Sequence, residues 1–334
     1  MDKKIIIAVD AMGGENAPKK IIDGIIHHFS ENKNTFYKIF GIKNKIEKFI
    51  PKKFDETVYE IIESNDIVED TDTPLVAAKK GNKTSMWLAI DSVKNKKADI
   101  VISAGNTGAL FVIAKLNLEM IPNIDKPALS ALWPNKKGMS VVLDLGANIE
   151  CSEKNLVDFS IMGASLLKSL YPDEFPKVAL LNIGSEEIKG NDIIKSTYQK
   201  LSNKKSKEFE FKGYIEGNKL MDGDVNVIVA DGFTGNVALK TAEGTANFIT
   251  AELKKAMTKS LFGKLSALIN IKNLNNFKKR LDPRLYNGAI FIGLDSPVVK
   301  SHGATDYLGF SNSLSVCSKI VKANLIEKIK HNID

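Results

Sequence analysis

The sequence predicts a three-layer α/β/α fold built on a mostly parallel, doubly wound sheet. Short apolar runs of strand length alternate with longer stretches in which apolar residues recur at helical spacing. Parallel strands joined through helices need right-handed crossovers, and these place helices on both faces of the sheet. The chain has 334 residues, of which 43% are apolar, so it can bury a large core. We therefore expect residues 1–334 to form one α/β unit.

The elements follow one another in a regular order. A buried strand is expected from Ile5 to Val9, and the next helix begins at Pro18, because proline suits the first turn of a helix. Strand character returns at 289–294 and 298–300, before a helix near 314–329. Four strand–helix pairs lie between these ends: 100–103 with 108–118, 141–145 with 155–170, 178–183 with 192–201, and 225–230 with a helix from 234.

Residues 245–285 interrupt this alternation and are predicted to form an amphipathic helical insertion. Its apolar stripe can be buried in the core or in a dimer interface, which is the commoner arrangement. It can also meet a membrane surface, with the basic run 278–280 facing anionic headgroups. The stripe consists of Leu261, Phe262, Leu265, Leu268 and Ile269, spaced at i, i+1, i+4, i+7 and i+8, and apolar residues continue to Leu281.

Charge and composition narrow the class of partner. The net charge of +7 suggests acidic partners, such as an anionic membrane face or an acidic carrier protein, although compositional drift toward Lys would give the same excess. Nucleic acid is not expected, because Arg occurs only at 280 and 284 and no Arg-and-aromatic stripe is present. The two cysteines, Cys151 and Cys317, argue against a disulfide framework or a zinc site and fit a reducing cytoplasm.

Five strand-like runs end in turns rich in glycine and asparagine. In a parallel sheet, ligands bind beyond the carboxyl ends of the strands, where helix N-termini and glycine N–H groups can hold an anion. A single turn of this kind does not indicate a site, because glycine and asparagine are common in turns. Five such turns at equivalent positions after strands predict one anion site. Motifs for Walker-type, dinucleotide, zinc-protease and serine-hydrolase sites are absent. The turns are 10–14, 103–108, 145–148, 182–190 and 231–236.

These turns carry a family resemblance that spans nearly the whole chain. The segments DAMGG at 10–14, SAGNTGA at 103–109, LDLGAN at 143–148, LLNIGSEEIKGN at 180–191, DGFTGNVALK at 231–240 and SHG at 301–303 together resemble the PlsX family of bacterial phosphate acyltransferases. Glu15 departs from the pattern, since this family usually has Asp after the glycine pair. The resemblance implies a fold like that of isopropylmalate dehydrogenase and phosphotransacetylase.

The resemblance implies acyl transfer from acyl carrier protein to inorganic phosphate, the first step of bacterial phospholipid synthesis. It implies no metal and no cofactor. The recipient of the product that it implies is a membrane glycerol-3-phosphate acyltransferase. Because an acyl phosphate is amphiphilic, we expect a cytoplasmic homodimer that presents paired apolar stripes and associates peripherally with the inner face of the membrane. Two alternatives stay open: a short-chain phosphotransacetylase that uses coenzyme A, and a non-catalytic lipid- or carrier-binding adaptor.

The same resemblance suggests roles for individual residues. Lys189 would hold phosphate or stabilise the developing oxyanion, because an ammonium can reach inward from its glycine-flanked turn. His302 would protonate the leaving sulfur or bond the phosphate, and Asn236 would donate to the thioester carbonyl. Asp231 would orient Lys189 or His302, or simply cap the next helix, and Asp10 would have an orienting role. The remaining candidates for phosphate or pantetheine contact are Gly13, Gly14, Gly105, Asn106, Thr107, Gly108, Asn148, Thr234 and Gly235.

Overall fold

An eleven-stranded mixed sheet forms the centre of the molecule. The computed structural model describes residues 4–204, 206–280 and 282–333, without the side chains of Leu261, Lys264, Ala267, Asn275 and 278–280. The strands are β1 Ile5–Asp10, β2 Thr35–Gly41, β3 Tyr59–Glu63, β4 Ile100–Ser103, β5 Ala128–Pro134, β6 Met139–Leu143, β7 Lys177–Asn182, β8 Glu210–Glu216, β9 Val227–Val229, β10 Ala289–Ile292 and β11 Val298–Lys300. The strand order across the sheet is β3-β2-β1-β4-β11-β10-β5-β6-β9-β7-β8.

Helices cover both faces of this sheet, which confirms the three-layer α/β/α prediction. The helices are α1 Lys19–Glu31, α2 Lys43–Glu47, α3 Pro74–Lys80, α4 Ser85–Lys94, α5 Thr107–Asn117, α6 Glu153–Leu170, α7 Asp192–Asn203, α8 Gly232–Thr258, α9 Leu261–Ile269, α10 Ile271–Arg280, α11 Tyr307–Lys322 and α12 Leu325–Ile333. One core layer contains Ile21 and Ile25 of α1 and Phe159 of α6, and the opposite layer contains Ile90 of α4 and Ile113 of α5.

The sheet contains two parallel halves that run in opposite directions. Strands β2, β1, β4 and β11 are parallel to one another, and so are β6, β9, β7 and β8. Between the halves, β10 is antiparallel to both β11 and β5, and β5 is antiparallel to β6. The strands of one half therefore end at the edge where those of the other half begin.

Two sequence predictions are corrected by this architecture. The single C-terminal helix over 314–329 is wrong, because α11 ends at Lys322 and α12 starts at Leu325, with Asn324 at φ 52° between them. Asparagine tolerates this left-handed conformation, which interrupts the helical hydrogen bonds. The five glycine-rich turns also do not share one edge, since turns 10–14 and 103–108 follow strands of one half and the other three follow β6, β7 and β9.

The predicted insertion over 245–285 corresponds to the end of α8, followed by α9 and α10. Most side chains described here are exposed, among them Phe248, Phe262 and Leu268. Helix α9 packs against α8, and α10 packs against α9. The side chain of Leu261 and the whole of Leu281 lie outside the described part. In the described ranges, no helix is long and apolar enough to cross a membrane.

Candidate functional site

Three adjacent parallel strands end side by side at one edge of the sheet. Asp10 of β1 is the register partner of Ser103 of β4, which in turn faces Lys300 of β11. The buried Asp10 carboxylate accepts hydrogen bonds from Ser103 Oγ at 2.6 Å, Ser85 Oγ at 2.7 Å and the N–H of Met12 at 3.2 Å. Burial raises the pKa of Asp10, while these hydrogen bonds and Lys300 oppose the shift. The carboxylate thus ties three chain segments together.

Glycines allow the turns after these strands to pack backbone against backbone. A Cβ on Gly13 would collide with the backbone of Gly105. Gly14 has φ +83°, and a Cβ there would lie 2.8 Å from the carbonyl oxygen of Ala104 and 3.0 Å from that of Gly303. Only glycine fits both the backbone conformation and the space. We call this region the glycine–lysine recess; it comprises Gly13, Gly14, Lys20, Gly105, Lys300, His302 and Gly303.

Two buried lysines lie in this recess. Lys20 near the start of α1 is 5% exposed, and Lys300 at the end of β11 is 9% exposed. The ammonium of Lys20 donates to Gly303 O, and that of Lys300 donates to Ser301 O and, at 3.4 Å, to Ala104 O. Burial and the charge of Lys20 lower the pKa of Lys300 to about 8, and burial lowers the pKa of Lys20. The sequence reasoning missed both residues.

His302 occupies the outer side of the recess. Its N–H donates to Asn287 Oδ1 at 2.9 Å, and its ring Nδ1 accepts from the N–H of Ala304 at 3.2 Å. The neutral ring then carries its proton on Nε2, the nitrogen left to face a substrate. Burial, followed by the positive charge of Lys300, lowers the pKa of His302. The imidazole can therefore donate a hydrogen bond through Nε2 while it is neutral.

A second group of turns forms around Asp144, directly after β6. The buried Asp144 carboxylate accepts hydrogen bonds from the N–H groups of Leu129, Gly146, Ala147 and Asn148, at 2.8 to 3.2 Å. The start of α8 packs against this turn, since a Cβ on Gly235 would collide with the carbonyl oxygen of Asp144. We call this group, with Asp144, Gly146, Asn148, Asp231, Gly235 and Asn236, the β6–β9 turn cluster.

The two groups of residues are separated across the sheet but share α8. Strands β11 and β6 are three strand spacings apart, about 14 Å, and they end at opposite edges of the sheet. Helix α8 begins in the β6–β9 turn cluster, and its residues Lys240 and Glu243 lie close enough to His302 to influence the pKa of its ring. The helix therefore runs from the β6–β9 turn cluster toward the glycine–lysine recess.

Several predicted ligands use their side chains to build the turns. Asn106 caps the N–H of Ala109 at 3.0 Å, and its amide donates to the carbonyls of Asp70 and Asp72 at 3.0 Å. Asn148 donates to Pro127 O at 2.6 Å and to Asp144 Oδ2 at 2.8 Å.

At the start of α8, Asp231 caps the helix, which is the second of the two roles considered for it from the sequence. Asp231 caps α8 by accepting from the N–H and hydroxyl of Thr234, both at 2.8 Å. Of the described hydrogen bonds, none joins Asp231 to Lys189 or His302.

Other predicted site residues present exposed side chains. Thr107 opens α5, and Asn236 lies in the first turns of α8, 3.5 Å from the Cβ position of Gly146. Lys189 is exposed on the turn after β7, with its carbonyl accepting from Asn182 Nδ2 at 3.2 Å. Gly108 lies against Pro74 at the start of α5. Of the predicted surface stripe, Phe262, Leu265, Leu268 and Ile269 are 86%, 55%, 67% and 76% exposed.

Comparison with known proteins gives a consistent result over the whole chain. The profile of the family described as "Fatty acid synthesis protein" matches residues 5–328. The "Phosphate acyltransferase" of Pelagibacter ubique is 74% identical over 333 residues and covers 100% of both chains. The protein of the same name from Rhodospirillum rubrum is 42% identical over 334 residues, covering 100% of this chain and 95% of its own.

Solved structures resemble this fold at low sequence identity. A phosphotransacetylase from Streptococcus pyogenes superposes with a TM-score of 0.62 at 15% identity, covering 98% of this chain and 95% of its own. The EutD phosphotransacetylase from Staphylococcus aureus gives a TM-score of 0.60 at 16% identity, covering 96% of this chain and 94% of its own. At these identities the likeness shows the fold alone.

Proposed function

The chain belongs to the PlsX family of phosphate acyltransferases, and from that membership we propose that it transfers an acyl group from acyl carrier protein to inorganic phosphate. The acyl transfer to phosphate follows from the family. The carrier protein as donor, and the product's use in the first step of phospholipid synthesis, are the proposed part. The observation that carries the chemistry is the glycine–lysine recess, where the ends of β1, β4 and β11, the start of α5 and two buried ammonium groups lie together.

The reaction needs placement more than strong acid–base groups. A phosphate oxygen attacks the thioester carbonyl carbon, the C–S bond breaks, and the sulfur leaves as a thiol with one added proton. Phosphate is already an oxyanion at neutral pH, and a thiol has a pKa of about 8.5, so the leaving group is a good one. Orienting the two reactants and stabilising the developing oxyanion can then supply most of the acceleration.

We assign roles to exposed donors on this basis. His302 Nε2–H can bond phosphate or protonate the leaving sulfur. Asn236 and Lys189 can position the acyl-pantetheine arm, because their side chains are exposed at the ends of neighbouring strands β9 and β7, away from the glycine–lysine recess. The exposed apolar side chains of Ile149, Ile188 and Phe233 surround these turns and suit an acyl-pantetheine group. Asp10 and Asn148 hold the turns in place through the hydrogen bonds described above.

The long apolar insertion, with exposed side chains such as Phe262 and Leu268, argues against a short-chain phosphotransacetylase that uses coenzyme A. The test mixes purified protein with palmitoyl-carrier protein or palmitoyl-coenzyme A and follows phosphate-dependent thiol release. Release from the carrier alone supports the proposal. Release from coenzyme A alone favours a phosphotransacetylase, and no release from either favours a non-catalytic adaptor.

The projecting helices α9 and the end of α8 supply the proposed contact with a membrane and with a second copy of the chain. Four apolar side chains on one helical stripe, among them Phe262 and Leu268, are more than half exposed. An acyl phosphate is amphiphilic, so docking at the inner membrane face would bring it to a membrane glycerol-3-phosphate acyltransferase. We expect Leu265→Glu with Leu268→Glu to abolish flotation with anionic liposomes, whereas unchanged flotation would contradict membrane docking. Size-exclusion chromatography with light scattering tests the homodimer.

A further inference from the structure

The ammonium groups of Lys20 and Lys300 are buried without an ionic partner. Within the described residues, neither makes an ion pair, and their hydrogen bonds end on carbonyl oxygens of Ala104, Ser301 and Gly303. The carboxylates of Glu15, Asp70 and Asp10 act on them only from a distance. Burying an unpaired charge costs free energy, so this arrangement is costly unless an anion joins it.

The surroundings of the two lysines fit an oxyanion. Lys300 directs two described hydrogen bonds to carbonyls, which leaves one of its three ammonium hydrogens for a ligand. Helix α5 begins at Thr107, four residues after the register partner of Lys300, and first-turn N–H groups of a helix attract anions. The glycines bring the backbone of the turns close to the ammonium groups, since a Cβ on Gly14 would lie 3.0 Å from Lys20 Nζ.

We propose that Lys20 and Lys300 bind the phosphate acceptor in the glycine–lysine recess. The proposal rests on the proposed function for the role of this anion as a substrate, and it adds a binding pair that is separate from Lys189. His302 lies two residues after Lys300, close enough for the charge of Lys300 to act on its ring. The ligand class is a small tetrahedral oxyanion with two negative charges.

The lowered pKa values of both lysines are consistent with an anion-binding site in the absence of its anion. Bound phosphate would favour their charged forms and reverse the effect of burial. Asp10 does not serve as the anionic partner of the two lysines, because its carboxylate accepts hydrogen bonds from Ser85, Ser103 and the N–H of Met12.

The test compares Lys20→Met and Lys300→Met with Lys19→Met. Lys19 precedes Lys20 in α1, but its side chain is exposed and paired with Asp23 at 2.6 Å, so it is a matched control. Two quantities are measured for each variant: the rise in melting temperature caused by inorganic phosphate, and KM for phosphate in the thiol-release assay. Lys300→Gln replaces Lys300→Met if the latter does not fold, since glutamine can still donate to Ala104 O.

We expect Lys20→Met and Lys300→Met to lose the stabilisation by phosphate and to raise KM for phosphate by about tenfold or more, the loss typical of one charge-assisted hydrogen bond. KM for the acyl donor should stay the same, and Lys19→Met should behave as the wild type. Unchanged phosphate KM and stabilisation in both buried-lysine variants would overturn the proposal while leaving acyl transfer in place. Lysine-dependent stabilisation by phosphate in a protein that releases no thiol would support the site and refute the proposed function.

Discussion

Replacing Lys300 with methionine should change the pH dependence of folding stability in a predictable way. Burial and the charge of Lys20 lower the pKa of Lys300 from 10.5 to about 8 in the folded protein. The unfolded chain keeps the ordinary value. Between these pH values the unfolded state binds one proton more than the folded state, so the free energy of unfolding of the wild type rises with pH.

The size of this effect follows from the shift. A change from 10.5 to about 8 corresponds to about 3 kcal/mol at about 1.4 kcal/mol per pKa unit. Relative to Lys300→Met, which has no such proton, the wild type should gain about 1.4 kcal/mol per pH unit from about pH 8 upward. Below pH 8 the difference should be constant. Loss of the hydrogen bonds to Ala104 O and Ser301 O changes the free energy of unfolding of the variant by an amount that does not depend on pH.

Urea denaturation followed by circular dichroism measures this difference between pH 7 and 10 in phosphate-free buffer. Lys19→Met is the control and should follow the wild-type curve, because Lys19 is exposed. Adding phosphate at pH 7 should stabilise the wild type and not Lys300→Met, since a ligand of the folded state adds stability by mass action. Parallel stability curves for the wild type and Lys300→Met above pH 8 would refute the burial argument.

The other predictions concern activity and the start of α8. KM for phosphate should rise above about pH 8, because Lys300 then loses its proton. The charged or titratable groups that face Lys300 are Lys20, His302, Asp10 and Asp70. A KM for phosphate that does not change between pH 7 and 9 would contradict this prediction. Lys189→Ala should greatly lower kcat with an unchanged melting temperature, and near-normal turnover would remove Lys189 from the mechanism. Gly235→Ala should lower the melting temperature strongly, because its Cβ meets Asp144 O. Gly244→Ala, with open space around its Cβ, should be neutral or raise stability by up to about 1 kcal/mol.

The strand–helix order was readable from the sequence because each element leaves a local periodic pattern. The predicted strand at 100–103 and the helix at 155–170 agree with β4 and α6 to within two residues. The predicted turn residues are also real turns, but most of their polar side chains bond inward, as Asn106 and Asn148 do. Composition alone does not distinguish an asparagine that builds a turn from one that contacts a ligand, because both use the same amide.

The buried lysines escaped sequence reasoning because the chain has 47 basic residues and most lysines lie on the surface. One signal was present for Lys20. In α1 the buried residues Lys20, Ile21, Gly24, Ile25 and His28 repeat at i, i+1, i+4, i+5 and i+8, so Lys20 lies on the core-facing stripe. A lysine on the core-facing stripe of a helix therefore predicts a buried ammonium group, which composition alone does not.

The reversal of the sheet has a direct consequence for the substrate. The hairpin between β5 and β6 turns through Asn135 and Gly138, joined by a 3.0 Å hydrogen bond, and it sends β6, β9 and β7 in the opposite direction to β1 and β4. His302 and Asn236 consequently do not meet at one edge. They are connected along α8, where Asn236 and Glu243 are seven residues, or about 10 Å, apart. Reacting atoms must lie about 3 Å apart. With phosphate in the glycine–lysine recess, the thioester carbon must therefore lie there too, next to His302, and Asn236 would contact the pantetheine arm that extends along this part of α8.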